Sequence, residues 1–144
     1  MTATVVGTWR LRQWETHTAD GQVSYPLGSD ALGYLTYTAD GYLFVAMMRA
    51  DRPRYTTSDL LGGTPTDKAE AASSYVTYCG RYHVEGGRVL HHIELSLYPN
   101  WTGVDQERFV VIEGDQLIIT TAPIAIGGTT TNRLVWERVH TPAQ

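Results

Sequence analysis

Two adjacent histidines and a glutamate stand inside "RVLHHIELSLYPNW", Arg88–Trp101, a run otherwise rich in strand-forming residues. An imidazole titrates near neutrality, so it can move a proton on a bound molecule, and a neighbouring phenol or carboxylate can orient it. Two pairings are open: His91 as general acid/base with Tyr82 as an oxygen-anchoring donor, or His92 as base with Glu94 as its orienting carboxylate. Neighbours on a strand point to opposite faces, so His91 and His92 cannot share a pocket without a bulge. Val89, His91, Ile93, Leu95 and Leu97 make a mostly aliphatic set, which is expected to face the core. Leu90, His92, Glu94, Ser96 and Tyr98 make the other set.

The preceding hairpin bears on that choice. With a turn at Gly86-Gly87 or Glu85-Gly86, Tyr82 and Val84 fall on the face of Val89 and His91. Arg81 and His83 then join His92 and Glu94 outside. A three-residue bulged loop would instead group Tyr82 with His92 and Glu94. The first register is preferred. A core histidine satisfied by a hydroxyl or a carbonyl is the ordinary alternative to a catalytic one.

Other residues are candidates for ligand contacts. Met47 shares a face with Leu43 and Val45, and Met suits an adaptable apolar cavity. Tyr37, Tyr78 and Trp101 could wall the pocket. Arg49 ends its strand near the expected mouth, where it could hold a carboxylate or phenolate. Glu15 and His17 lie on the face of Trp9 and Leu11 if the first strand is regular.

These side chains need a scaffold. "TADG" occurs at Thr18–Gly21 and again at Thr38–Gly41, and Asp-Gly suits a turn whose last residue takes a positive φ. Further turns are expected at Glu85–Gly87, Glu113–Asp115 and Ile126–Gly128. Between the turns run alternating segments such as "YLFVAMM" and "RLVWERV", giving an antiparallel meander of eight or nine strands. One segment breaks this pattern. In "TPTDKAEAASSYVTY", Thr64 can cap, Pro65 starts and Asp67 completes a helix predicted over roughly 66–78. With the polar stretch before it, that helix reads as a flap over a barrel mouth or as a plain connector.

"GTW" at Gly7–Trp9 and the closing "RLVWER" resemble the lipocalin arrangement, in which a first-strand Trp plugs the barrel floor against an arginine of the last strand. That arginine would be Arg138 or, second, Arg133. "YPLGSDALGYLTYTADGY" and "YCGRYHVEGGRVLHHIELSLYPNWTGVDQ" resemble the small single-domain lipocalin-like family of bacteria and fungi over nearly the whole chain. The resemblance implies an all-β, antiparallel up-and-down β-barrel of eight to nine strands, with one short helix near the mouth and an internal ligand cavity. It implies much less about chemistry, because such barrels include cofactor-free cyclases and isomerases of biosynthetic pathways.

Bulk properties narrow the rest. The 144 residues fit one domain, 1–144, with 42% hydrophobic residues and a formal charge of −4. Lys and Arg total 11 and form no basic stripe, which argues against nucleic acid. No apolar run approaches the roughly 20 residues of a membrane helix. "MTATVVGTWRL" carries no basic segment followed by an apolar stretch, so no signal peptide is expected, and a cytoplasmic setting fits the lone Cys79. No metal site and no cofactor are expected. There is no cluster of Cys and His ligands, no phosphate-binding glycine loop and no Gly-x-Ser-x-Gly elbow. The expected ligand is a small hydrophobic or aromatic metabolite, and a homodimer stays open. The functional expectation is a cofactor-free isomerase, cyclase or dehydratase of secondary metabolism. A non-catalytic binding or carrier protein is the alternative, and a barrel filled by its own side chains is the third reading.

Overall fold

The computed structural model describes residues 4–140, so residues 1–3 and 141–144 of the expected 1–144 domain lie outside the described residues. Ten strands and one α-helix follow in order: β1 (Gly7–His17), β2 (Val23–Ser24), β3 (Leu32–Tyr37), β4 (Tyr42–Met48), α1 (Pro65–Ser73), β5 (Tyr75–Glu85), β6 (Arg88–Ser96), β7 (Asp105–Glu113), β8 (Gln116–Thr120), β9 (Ile124–Ala125) and β10 (Thr129–Arg138). A 3-10 turn at Pro99–Trp101 separates β6 from β7. All pairings are antiparallel. The order β1-β3-β4-β5-β6-β7-β8-β10 closes on itself through β1–β10, an eight-strand up-and-down barrel, and β2 and β9 are two-residue additions. Closure leaves no long open sheet edge in the body of the barrel.

The turns follow from their residues. Gly21 and Gly41 adopt φ of 86° and 96°, where a side chain would be strained. In each turn the threonine hydroxyl accepts from a backbone N–H four residues on, Gln22 or Tyr42, at 2.9 Å. Repetition of "TADG" is thus repetition of one turn chemistry.

Helix α1 begins as its sequence requires. Thr64 Oγ1 accepts from the Asp67 N–H and Asp67 accepts from the Thr64 N–H, a reciprocal cap. It ends at Ser73, shorter than the predicted 66–78. Tyr75, Val76, Thr77 and Tyr78 are β-branched or aromatic, and they pair with Met48 through Val45 instead. Arg52 straps the preceding loop to the helix: it donates to Ser74 Oγ at 2.9 Å and to the Ala71 carbonyl at 3.1 Å.

Inward-facing Trp9, Leu11, Leu35, Leu43, Val45, Val89, Ile93, Leu117 and Trp136 are buried in one core. At the floor, Trp9 is fully buried and donates its indole N–H to the Val5 carbonyl at 2.9 Å. The Arg138 guanidinium lies 4.1 Å from the Trp9 ring centre and donates to the Val6 carbonyl. Arg133 stands instead near Glu15.

Two bulges re-aim side chains. Leu11 pairs with Trp136 and Gln13 with Val135, so Arg12 is the extra residue. Beyond it Trp14 and Thr16 turn inward. In the β5–β6 pair, Gly80 faces Ile93 and Cys79 faces Leu95, which leaves Glu94 as the extra residue. A Cβ at position 80 would collide with the His92 carbonyl oxygen, so this approach of two backbones needs glycine. After the bulge, Leu95 faces outward, 67% exposed, and Ser96 turns in.

Candidate functional site

The upper half of the barrel contains a cavity of about 460 Å³. Apolar side chains dominate its wall: Trp14 from β1, Met47 from β4, Val76 and Tyr78 from β5, Trp101 from the 3-10 turn, and Leu134 from β10. Ile126 closes one side near β9, and Ala72 and Ser73 of α1 stand at the mouth. The helix is therefore part of the cavity wall. The size and the predominance of apolar lining are those of a site for a small organic molecule.

Polar groups are few and mostly occupied. Asn132 Oδ1 accepts from the Trp14 indole at 2.9 Å, and its amide donates to Thr121 Oγ1 at 3.3 Å. Ser96 Oγ is buried without a hydrogen-bond partner among the described residues. Arg108 of β7 is only 6% exposed and reaches the cavity. Its Nη1 donates to Gln106 Oε1 at 3.3 Å and to the Glu107 carbonyl at 3.1 Å. No carboxylate lies within ion-pair distance of it among the described residues.

Behind the wall lies a chain of three rings. His91, 2% exposed, has Tyr37 Oη 2.7 Å from Nε2 and Tyr78 Oη 2.9 Å from Nδ1. Burial pushes the imidazole well below its ordinary 6.5, aided by the nearby positive charge of Arg108 and then by His92. Burial likewise raises the Tyr37 phenol well above 10.0, with Tyr78 adding to the rise and Arg108 opposing it. Tyr37 and His91 are thus both neutral at physiological pH. His91 itself does not line the cavity; Tyr78 stands between them.

The β5–β6 register pairs Tyr82 with His91 and Val84 with Val89 across a Gly86-Gly87 turn. That is the preferred register, but its chemistry differs from the expectation. The Tyr82 hydroxyl donates to the Thr38 carbonyl at 2.7 Å and its ring packs edge-on against Tyr37, centroids 4.8 Å apart. The hydroxyls at His91 belong to Tyr37 and Tyr78.

His92 and Glu94 lie on the outer surface. His92 contacts Asp105 at 2.7 Å and His83 at 3.0 Å, and Glu94 pairs with Arg81 at 3.2 Å. The alternative register would have turned them inward, and the two-residue turn precludes it.

Among the expected ligand contacts, Met47, Tyr78 and Trp101 line the cavity and Tyr37 supports it from below through His91. Arg49 is exposed and donates to the Pro26 carbonyl at 3.1 Å, away from the cavity. Glu15 and His17 do not reach the cavity either. The Arg12 bulge reverses the alternation, and they pair with each other at 3.2 Å. Among the described residues no group of three or more His, Cys, Asp or Glu side chains is arranged to hold a metal.

Arg108 and Ser96 were not foreseen. Arg108 shares one alternating face of β7 with Gln106, Val110 and Ile112, and that alternation is the signal that could have placed it inward. Ser96 turns inward only because of the bulge.

The chain resembles several known proteins. A carrier protein for 4'-hydroxy-3'-methoxypropiophenone from Aspergillus oryzae is 36% identical over 103 residues, covering 65% of this chain and 93% of its own. An uncharacterized protein from Bacteroides eggerthii superposes with a TM-score of 0.49 at 14% identity, over 94% of this chain and 100% of that one. A mutant of the fluorescent protein UnaG superposes with a TM-score of 0.38 at 13% identity, over 93% of this chain and 95% of that one. The lipocalin-like domain family matches residues 6–139, which is the whole barrel from the floor tryptophan to the closing strand, and the chain belongs to that family.

Proposed function

We propose that this protein binds and carries a small, largely apolar aromatic molecule in the barrel cavity and releases it unchanged. The observation that carries this reading is the make-up of the wall. A cavity of about 460 Å³ is lined mainly by aromatic and aliphatic side chains, and the one buried histidine lies behind Tyr78, out of reach of a ligand. General acid/base catalysis needs a titrating group within hydrogen-bond reach of the reacting atom. The carrier role of the Aspergillus relative, whose ligand is an aromatic ketone with a phenol, supports the same class here. Met47, Tyr78 and Trp101 are proposed as ligand contacts, with Tyr37 and His91 holding Tyr78. The lone Cys79 is compatible with a reducing cytoplasm.

One observation favours the second reading, a cofactor-free isomerase or cyclase. The Tyr78–His91–Tyr37 chain could pass a proton to a ligand through Tyr78. The two readings separate in one experiment. The protein is incubated with a panel of aromatic ketones and phenols, binding is followed by quenching of tryptophan fluorescence, and the bound fraction is analysed by mass spectrometry. The carrier reading expects saturable binding and unaltered compounds. A product that forms with wild type and not with Tyr78→Phe overturns it in favour of the enzyme.

A further inference from the structure

A neutral imidazole has one N–H and one acceptor nitrogen, so the three-ring chain contains three hydrogens and only two hydrogen bonds. One hydroxyl hydrogen is left over, and burial decides which. Tyr37 is fully buried, and beyond His91 its hydroxyl has no partner among the described residues. If Tyr37 accepted from His91, its own hydrogen would be buried without a partner, a cost of about 1–3 kcal/mol. The favoured arrangement has Tyr37 donating to Nε2 and Nδ1–H donating to Tyr78 Oη. The surplus hydrogen is then that of Tyr78, the member of the chain on the cavity wall. A hydroxyl that accepts one hydrogen bond becomes a better donor of its own.

Arg108 stands on the same part of the wall. Trp101 joins the two: its ring centroid lies 5.7 Å from that of Tyr78 and 5.8 Å from the Arg108 guanidinium carbon. Only Nη1 of Arg108 is hydrogen-bonded among the described residues, which leaves Nε and Nη2 as free donors on a buried cation. Ser96, the cross-strand neighbour of Tyr78, adds its buried and unpartnered hydroxyl. A buried cation without a carboxylate is costly. Here it is joined by a phenol whose free hydrogen has no acceptor. The group that would satisfy both is an anionic oxygen brought by a ligand.

We propose that Arg108, Tyr78 and Ser96 form a subsite for an acidic oxygen, the carboxylate or phenolate of an otherwise apolar ligand seated against Trp101. This rests on the binding role proposed above and names the chemical class it takes. Arg108 supplies the charge and paired donors, Tyr78 a directed hydroxyl, and His91 with Tyr37 are positioning residues that set the direction of that hydroxyl.

The test uses a neutral fluorescent reporter, N-phenyl-1-naphthylamine, displaced by matched competitors at a pH slightly above neutral. One pair is naphthoate and its methyl ester; the other is nitrophenolate and nitroanisole. Wild type is expected to bind at least one anion about tenfold or more tightly than its neutral partner, and the pair that does so identifies carboxylate or phenolate as the oxygen. In Arg108→Gln that anion-to-neutral ratio should fall about tenfold, and in Tyr78→Phe it should fall by a smaller factor. His92→Gln, outside the barrel, should keep the wild-type ratio. If the reporter binds but neither anion is preferred, the subsite is refuted while the binding role stands. An anion preference that survives in folded Arg108→Gln also refutes it. If Arg108→Gln does not fold, the wild-type ratio and Tyr78→Phe decide. Failure of every compound, the reporter included, overturns the binding role itself.

Discussion

His91 makes the stability of the barrel depend on pH in a way that one substitution isolates. In the fold the imidazole is buried between two phenols and held neutral well below 6.5, whereas in the unfolded chain it takes a proton near that value. Below pH 6.5 the unfolded state therefore binds more protons, and stability falls as pH falls. For as long as the folded imidazole stays neutral, each pH unit below the unfolded value costs about 1.4 kcal/mol, so between about pH 7.5 and about pH 5 this group alone can remove at most roughly 2 kcal/mol. That is a large part of the 5–15 kcal/mol typical of a domain. His91→Gln keeps a side chain that can donate and accept but does not titrate. Urea unfolding of both proteins at the two pH values gives the comparison, and the surface histidines cancel because both proteins share them. Wild type should lose more than His91→Gln on acidification, by up to roughly 2 kcal/mol, whatever the variant costs at the higher pH. Equal losses in the two proteins would show that His91 becomes protonated inside the fold, which would refute the neutral three-ring chain.

Two further outcomes follow from the barrel. Trp9→Ala removes a fully buried indole from beneath Arg138 and should cost about 3–5 kcal/mol, read as a large fall in the melting temperature; an unchanged melting temperature would refute the floor plug. Gly80→Ala drives a methyl into the His92 carbonyl, so it should lower the urea midpoint far more than Gly87→Ala, where a Cβ meets nothing; equal effects would refute the bulge.

Much of this architecture can be read from the residues, and the parts that cannot have a shared cause. Alternation and turn chemistry announce the strands, and the twin "TADG" turns, the Thr64 cap and the Gly-Thr-Trp floor all take the form their side chains require. Alternation, however, has a period of two, so one inserted residue reverses every later face. The bulge at Arg12 turns Glu15 and His17 away and brings Trp14 in. The bulge at Glu94 turns Leu95 out and Ser96 in. Gly80 was a visible sign of the second bulge, since a lone glycine within a strand often marks one. No comparable sign accompanies Arg12. The His91 environment fails in another way: the strand pattern correctly turns it inward, but the partners that count come from β3 and the far end of β5, and only the closed barrel brings Tyr37 and Tyr78 to its two nitrogens.

We propose that a ligand sits in the upper cavity and on no other surface of the barrel. The most direct test is a titration of isotopically labelled protein with N-phenyl-1-naphthylamine, followed by amide nuclear magnetic resonance. Saturable shifts should concentrate at Met47, Val76, Tyr78, Ser96, Trp101 and Leu134, which surround the cavity, while His83 and His92 on the outer face stay unmoved. Shifts concentrated around His83 and His92, with the cavity residues silent, would place the ligand on the outer face and refute binding in the cavity.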